Sequence, residues 1–447
     1  DLQAKSPRLD WDKCAITDVA LRGHVSPALA RIHQLAFGFE GGRVTTTVIV
    51  PLGDGPDTSV AASWTDLDLG RIVRVVAPST TIVPAAITKG TLTASGPPSR
   101  LNEWAGDVRV EMSPGGNGRN RIAIGGEAHA TLSMGSWQLD AKQRVGGLVP
   151  VTMNVRGRLL EGRETNSTLR GYVDAGETPL LSLFDLLRTT GIVDVPAGTL
   201  SSGSAQAKVE VSGTLLDPRL GFTASADALS VEQAGASGRL TAVGTYAVRS
   251  GKYSAMVDGT DWQIVPTTDR PLSGQLDLHI TGTGAIDDPR GDGQLSLRNA
   301  VYAERRLGDV TANIMLEGRT ATIDARAPEF SVTATGRVGV DAPYVASIDV
   351  RTDNLDLARV LEGVETPTTL AGMTTISAHA QGPLETWRRG TGTIDVASLD
   401  ARAGDLPVRL DEPARIAYRD DRVFIERLEA TAGQTRLSAS GDLPINE

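Results

Sequence analysis

The chain has 447 residues, a formal net charge of -10 at pH 7, 4% aromatic residues and 49 glycines. The acidic charge is spread along the chain, which excludes nucleic acid as a partner because phosphate binding needs a concentrated basic surface. The single cysteine, Cys14, excludes a module held together by intrachain disulfides. Apolar positions filled mostly by Ala, Val, Leu and Ile cover a sheet face well but supply few of the large anchors of a thick globular core.

The first regular elements are a hairpin and a short helix. Apolar residues alternate over residues 35–50 on both sides of a glycine pair, which predicts a β-hairpin. The spacing of Leu69, Ile72, Val73 and Val76 then predicts a short amphipathic helix, which Pro78 ends.

The same order, a strand followed by a short helix, recurs twice. Leu180, Leu183, Phe184 and Leu187 have helical spacing, and Leu355-Asp356-Leu357 precedes a helix that would include Val360 and Leu361. Strands resume after each helix, so the chain alternates long stretches of strand with a few short helices.

A strand-and-turn unit recurs along the chain. From Ala205 to Val211 apolar and polar residues alternate, which predicts a two-faced strand, and Asp217-Pro218 is expected to break it. Related units open at Gly284 and Gly382, and a looser one opens at Gly96. Their irregular spacing indicates divergent repetition, with loose repeat units near 1–95, 96–212, 213–283, 284–381 and 382–447 of one continuous repeat-built chain.

Almost everything between these landmarks alternates as strands do, and short connections favour antiparallel neighbours. We therefore predict an all-β fold with a few short helices: an elongated, curved antiparallel sheet of roughly 25 to 30 strands. Its apolar side would form a hydrophobic groove. The residues expected to line that groove are Val209, Val211, Leu276, Leu278, Ile280, Leu295, Leu297, Ile348, Val350, Ile376, Ile394 and Val396.

An apolar sheet face can be used in two ways. It can be closed as the core of a sandwich or β-helix, or it can stay partly open as a path for hydrocarbon chains, where each methylene gains about 0.8 kcal/mol on leaving water. The closed reading corresponds to an adhesin or an autotransporter passenger. A polysaccharide-active β-helix enzyme is a third reading, and it requires carboxylates and aromatics gathered in one cleft.

Several motifs together carry a family resemblance. Leu-Asp-Leu followed by a short helix, the Phe-Glu-Gly-Gly-Arg hairpin from Phe39 to Arg43, and the Gly-x-Leu-x-Asp-Pro-x-x-Gly type of turn are similar to those of the AsmA-like proteins. The closest resemblance is to the family of the translocation and assembly module subunit TamB. It spans most of the chain, and its strength comes from the repetition of the motifs in order.

The resemblance implies a non-enzymatic protein of the periplasm, anchored in the inner membrane of a diderm bacterium. It implies a β-groove that carries phospholipid acyl chains between the two membranes or supports the assembly of outer-membrane proteins beside a β-barrel partner. The sequence begins at Asp1 without a methionine. We expect it to be an internal fragment, with membrane contact only through segments outside it.

No catalytic or metal-binding constellation stands out. The five histidines, among them His279 and His379, are scattered without a short metal-ligand spacing, and we expect them to face solvent. Asp287, Asp288 and Asp292 lack the twelve-residue pattern of a calcium loop and indicate a turn. We therefore expect no enzymatic activity and no cofactor.

Overall fold

The structure is a computed structural model of the chain. It describes residues 1–11, 14–52, 57–98, 100–159, 167–191, 202–231, 235–267, 271–285, 287–303, 305–360 and 370–444. Backbone contacts divide the chain into two units. The first unit comprises Asp1–Leu229 with Ala242–Gly251, and the second comprises Ser230–Thr241 with Lys252–Glu447.

The first unit contains twelve complete strands, each joined to the next by antiparallel pairing. They are β1 (Leu2–Trp11), β2 (Cys14–Val25), β3 (Leu29–Phe39), β4 (Gly42–Pro51), β5 (Thr58–Asp68), β6 (Val83–Gly96), β7 (Ala105–Pro114), β8 (Arg121–Ser133), β9 (Ser136–Val145), β10 (Val149–Arg158), β11 (Thr168–Pro179) and β12 (Ser202–Thr214). One parallel pairing adds to this order, because Val83–Ala85 of β6 reaches past the end of β7 to pair with β8.

Two strands, β13 (Asp217–Val231) and β14 (Ala236–Ala247), contribute residues to both units. The second unit then holds twelve further strands in sequential antiparallel pairing. They are β15 (Lys252–Ile264), β16 (Leu272–Ala285), β17 (Asp288–Tyr302), β18 (Arg305–Glu317), β19 (Thr320–Ala327), β20 (Val332–Gly339), β21 (Val345–Asp356), β22 (Leu370–Pro383), β23 (Thr391–Ala403), β24 (Leu406–Arg419), β25 (Arg422–Ala432) and β26 (Thr435–Pro444).

The predicted fold class is confirmed. Strands make up 77% and helices 8% of the part of the chain that the structure describes, so the fold is all-β. The 26 strands of the described residues are linked by hydrogen bonding between neighbouring strands into a sheet. Among the described residues β1 pairs only with β2, and β26 pairs only with β25. The division into five loose repeat units stays a prediction.

The three predicted helices form at the expected positions. They are α1 (Leu69–Val76), α2 (Leu180–Thr190) and α3 (Leu357–Val360), while Leu361 of the third lies outside the described residues. Within each unit they lie beside strand ends, with α1 against β6, α2 against β11 and β12, and α3 against β21 and β22. No helix in the described part of the chain is long and apolar enough to cross a bilayer.

The Leu-Asp-Leu motif forms the same local structure in both units: a β-bulge followed by a helix that the aspartate caps. Asp66 and Asn354 adopt positive φ angles of 60° and 53°, and each lies where the strand register shifts at a β-bulge. The next aspartate caps the helix that follows. The Asp68 carboxylate accepts the Arg71 N–H at 3.1 Å, and the Asp356 carboxylate accepts the Ala358 N–H at 2.9 Å.

The expected positions of two turns are wrong. The sequence placed the break at the Asp-Pro pair, but β13 begins at Asp217 and β17 begins at Asp288. In the second case Ala285 pairs with Asp288 and Gly284 pairs with Pro289, so the Asp-Pro pair already belongs to the strand ladder. Proline is tolerated so close to a strand start. Opposite it, Gly284 has a φ of 121°, which side chains other than hydrogen rarely permit.

Candidate functional site

The sheet of the first unit has one continuous apolar face. Residues directly opposite each other in an antiparallel pair lie on the same face, so the strand register defines rows of side chains that cross the sheet. The row that we call the Trp64 row crosses β3 to β12. Its members are Phe37, Val44, Trp64, Gly90, Val110, Ala128, Ala141, Met153, Val173 and Val209.

A second row on this face lies two residues further along each strand and crosses all twelve strands from β1 to β12. Its members are Ala4, Leu21, Leu35, Thr46, Ala62, Leu92, Val108, Ala130, Leu139, Val155, Gly171 and Val211. Thr46 is its one member with a polar side chain, so the apolar surface continues from strand to strand.

The second unit repeats this arrangement from β15 to β26. The row that we call the Ile348 row consists of Val257, Ile280, Gly293, Ile314, Ile323, Gly336, Ile348, Ala380, Gly392, Tyr418, Val423 and Leu443. The neighbouring Ile394 row consists of Gly259, Leu278, Leu295, Ala312, Ala325, Ala334, Val350, Ala378, Ile394, Ile416, Ile425 and Gly441.

All twelve predicted groove residues lie on the apolar face of their own unit. Val209 and Val211 belong to the two rows of the first unit, and the Ile348 and Ile394 rows hold six of the remaining ten. The other four are two paired residues beside the Ile394 row, Leu276 with Leu297 and Ile376 with Val396. The alternation therefore assigned these side chains to one face in each unit; that they bind lipid stays a prediction.

The opposite face is polar in both units. In the first unit one row across β4 to β12 reads Thr45, Ser63, Thr91, Arg109, His129, Asp140, Asn154, Tyr172 and Glu210. In the second unit a row across β15 to β23 reads Asp258, His279, Gln294, Asn313, Asp324, Thr335, Asp349, His379 and Thr393. The two faces thus differ in chemistry along most of each unit.

The apolar face is only partly covered. Ile280, Ile348 and Ile394 keep 38%, 39% and 42% of their surface exposed. The largest fully buried side chains in the described part of the chain are those of Thr178, Thr190 and Ser167. A closed sandwich would instead enclose large aliphatic side chains at crystal-like density. The described apolar rows therefore remain accessible to a ligand.

Tryptophan packing on this face was not foreseen from the sequence. The Trp64 ring lies over Gly90 of the adjacent strand, and the Trp137 ring lies over Gly157 in the same way. Trp64 Nε1 donates to Thr88 Oγ1 at 3.3 Å, which fixes the ring. The signal was available in principle, because an indole covers a pleated sheet closely only where the opposing residue lacks a side chain.

Histidine and aspartate pairs recur on the polar face, and the sequence interpretation missed them. His279 Nδ1 lies 2.5 Å from Asp258 Oδ1, His379 Nδ1 lies 2.9 Å from Asp349 Oδ1, and His129 Nε2 lies 2.5 Å from Asp107 Oδ2. The hydrogen bond with His129 lowers the pKa of Asp107. Desolvation opposes this effect, and the charges of Arg109 and His129 add smaller lowering contributions. Because the partners are 21 to 30 residues apart, only the strand register brings them together.

The two units differ in where the surface is concave. In the first unit a depression of about 860 Å³ crosses β5 to β11 and is lined by polar-face side chains such as Lys89, His129 and Tyr172. In the second unit a depression of about 460 Å³ crosses β21 to β25 on the apolar face, between Ile348 and Val423. Only the second depression combines concavity with an apolar lining.

Within the described residues no group of three or more His, Cys, Asp or Glu side chains could hold a metal ion. Comparison with protein-family models, with curated proteins and with solved structures finds no match. The site is therefore characterised by its own geometry: two accessible apolar faces, each backed by a polar face.

Proposed function

We propose that the apolar faces bind the hydrocarbon chains of phospholipids, and that the protein carries such lipids between the inner and outer membranes without catalysing a reaction. The observation that supports this most directly is the continuity of the Ile348 and Ile394 rows, which cross twelve strands without a charged side chain. The periplasmic setting, the membrane anchor and the β-barrel partner rest on the resemblance to AsmA-like proteins alone.

The free energy of burying methylene groups is consistent with movement of a lipid along the apolar face. Each methylene that leaves water for an apolar surface gains about 0.8 kcal/mol, so an acyl chain of ordinary length is held through many small contributions. Aliphatic rows that repeat from strand to strand offer similar contacts at successive positions. A chain can then shift from one strand to the next without losing all its contacts at once.

The alternative, an adhesin or autotransporter passenger whose apolar face is closed into a core, fits the described residues less well. Its apolar rows would be enclosed by a second layer, whereas Ile280 and Ile394 are 38% and 42% exposed. An exposed aliphatic surface this extensive is a feature of binding sites rather than of an inert shell. We therefore retain the lipid-binding proposal.

Substitution on a single strand tests the proposal. The protein is purified in parallel with its Ile348→Asp and Ser347→Asp variants, and lipids extracted from each are quantified by mass spectrometry. Ile348 lies on the apolar face and Ser347 on the polar face of β21, so the two variants introduce the same charge one residue apart. We expect phospholipid with the wild type and with Ser347→Asp, and a loss of about tenfold with Ile348→Asp. Equal amounts in both variants would contradict the proposal.

A further inference from the structure

The depression in the second unit is a pocket on the apolar face. Small residues form its floor and larger aliphatic residues form its walls. The floor residues are Ala378, Ala380 and Gly392, and the walls include Ile348, Ile394 and Ile416. We call it the Tyr418 pocket. The residues of the floor lack the bulk found beside them, so a ligand can descend below the level of the neighbouring rows.

Polar groups gather at one side of this pocket. The Tyr418 hydroxyl lies 2.9 Å from the Arg388 carbonyl oxygen and 3.1 Å from Asp421 Oδ1, so its one proton is shared between two acceptors. Desolvation and the hydrogen bond to Asp421 raise the pKa of Tyr418, which keeps the phenol protonated. Arg388 and Arg389 end the short 3-10 helix Leu384–Arg389, and the adjoining Gly390 lines the pocket.

Two arginines adjoin this pocket. Arg388 and Arg389 are exposed and precede Gly390, which lines the pocket, and the Tyr418 hydroxyl is bonded to the carboxylate of Asp421. A guanidinium has five donors in a planar fork that matches a carboxylate, so an arginine that already has a partner can still bind another group. The Tyr418 hydroxyl donates to the main-chain carbonyl of Arg388, and the positive charge of the Arg388 side chain opposes the rise in the pKa of the phenol.

We propose that the Tyr418 pocket is a discrete site for a long-chain fatty acid, with the hydrocarbon chain over Ala380 and Gly392 and the carboxylate at Arg388 and Arg389. This inference rests on the proposed function, because it requires the apolar face to bind hydrocarbon. The volume of about 460 Å³ lies in the lower half of the range of about 300–1,000 Å³ for small-molecule sites. It suits one chain better than the two chains and head group of a phospholipid.

The test uses the delipidated full chain and displacement of the fluorescent fatty acid cis-parinarate. Palmitate is expected to displace the probe, and uncharged monopalmitin is expected to need about tenfold more ligand because it forms no charge-assisted pair with arginine. Ala380→Phe, which fills the floor, and the double variant Arg388→Ser/Arg389→Ser should each weaken palmitate binding about tenfold. Ser377→Phe adds the same ring to the polar face of the same strand, outside the lining of the pocket, and should leave binding unchanged.

Two results would overturn the inference. Equal competition by monopalmitin and palmitate would show that the carboxylate is not recognised. Unchanged palmitate binding in Ala380→Phe, with an unaltered circular dichroism spectrum, would show that the ligand binds elsewhere. Failure of this inference is separable from failure of the proposed function. The first possible outcome is that phospholipid co-purifies with the wild type, Leu278→Asp removes it, and the pocket variants bind palmitate as the wild type does. In that case only the assignment of the pocket is wrong. If the wild type retains no lipid and binds no palmitate, both are wrong.

Discussion

In both units the strand register places apolar side chains on one face, but the two apolar faces differ in relief, that is, in the depth of their surface depressions. In the second unit the Ile348 and Ile394 rows are aliphatic apart from glycines and Tyr418, and the depression of about 460 Å³ lies on the apolar face. In the first unit the larger depression lies on the polar face. Tryptophan rings lie over glycines in both units, Trp64 over Gly90 in the first and Trp262 over Gly238 in the second. Alternation thus determines which side chains share a face, while the relief of that face depends on side-chain volume and strand geometry.

Bulges contribute to that relief because they change the local twist of a strand. The register shifts after Trp64 in β5 and after Gly259 in β15, and Asp66 and Asp261 adopt positive φ at these points. In the second unit the pocket lies where Ala380 and Gly392 replace larger members of the row. We infer that the second unit offers the deeper contact for a hydrocarbon chain.

The largest expected effect separates the two units directly. Leu278→Asp, in the second unit, should reduce co-purifying phospholipid about tenfold, because loss of even two methylene contacts at about 0.8 kcal/mol each has that consequence. Val209→Asp, in the first unit, should reduce it less. Mass spectrometry of extracted lipid provides the measurement.

The matched controls for this comparison lie on the polar faces of the same strands. Thr281→Asp is the control in β16, and Ser212→Asp is the control in β12. If Val209→Asp removed more lipid than Leu278→Asp, the first unit would be the stronger site and the relief argument would be wrong.

The next largest effect concerns the packing of the Trp64 ring against Gly90 in the first unit. A Cβ at Gly90 would overlap the Trp64 ring and the Arg109 carbonyl, so Gly90→Ala should lower the free energy of unfolding by about 1–3 kcal/mol. The nearest atom to a Cβ at Gly106 is 3.3 Å away, which makes Gly106→Ala a control on the neighbouring strand of the same face. Urea unfolding followed by tryptophan fluorescence measures both. Equal stabilities of the two variants would show that the ring can move aside freely.

A smaller effect tests whether the capping aspartates of the two Leu-Asp-Leu motifs contribute equally to stability. Asp68→Ala should destabilise the first unit by about 1 kcal/mol, because the Arg71 N–H loses its acceptor, whereas Asp68→Asn keeps a capping oxygen and should retain most of the stability. Asp356→Ala should cost less, since α3 has four residues and α1 has eight. Urea midpoints provide the measurement, and a larger loss for Asp356→Ala would contradict this ranking.

Much of the fold could be predicted from the sequence because its signals are local. Alternation at Leu276, Leu278 and Ile280 reports a two-faced strand without any knowledge of its neighbours. The predicted break at Asp288-Pro289 was wrong, because these two residues pair with Ala285 and Gly284, and such pairing across strands is not visible in the local sequence. The Asp258–His279 pair was missed for a related reason, since two residues 21 apart in sequence meet only through the register.

The smallest expected effect concerns the polar face. The pKa of Asp107 is lowered in the folded state, chiefly by the hydrogen bond with His129, relative to its ordinary value of 3.8. A carboxylate with a depressed folded-state pKa stabilises the fold above its unfolded-state pKa, and this contribution is lost as the pH falls through the folded-state value. The wild type should therefore be slightly more stable than Asp107→Asn near pH 7. In urea titrations the difference should begin to shrink below about pH 4 and vanish only once the pH is below the lowered folded-state pKa. Because the side chains of Asp107 and His129 are 37% and 42% exposed, the difference should shrink further in high salt, and a gap that widened in acid would show that another group governs this part of the sheet.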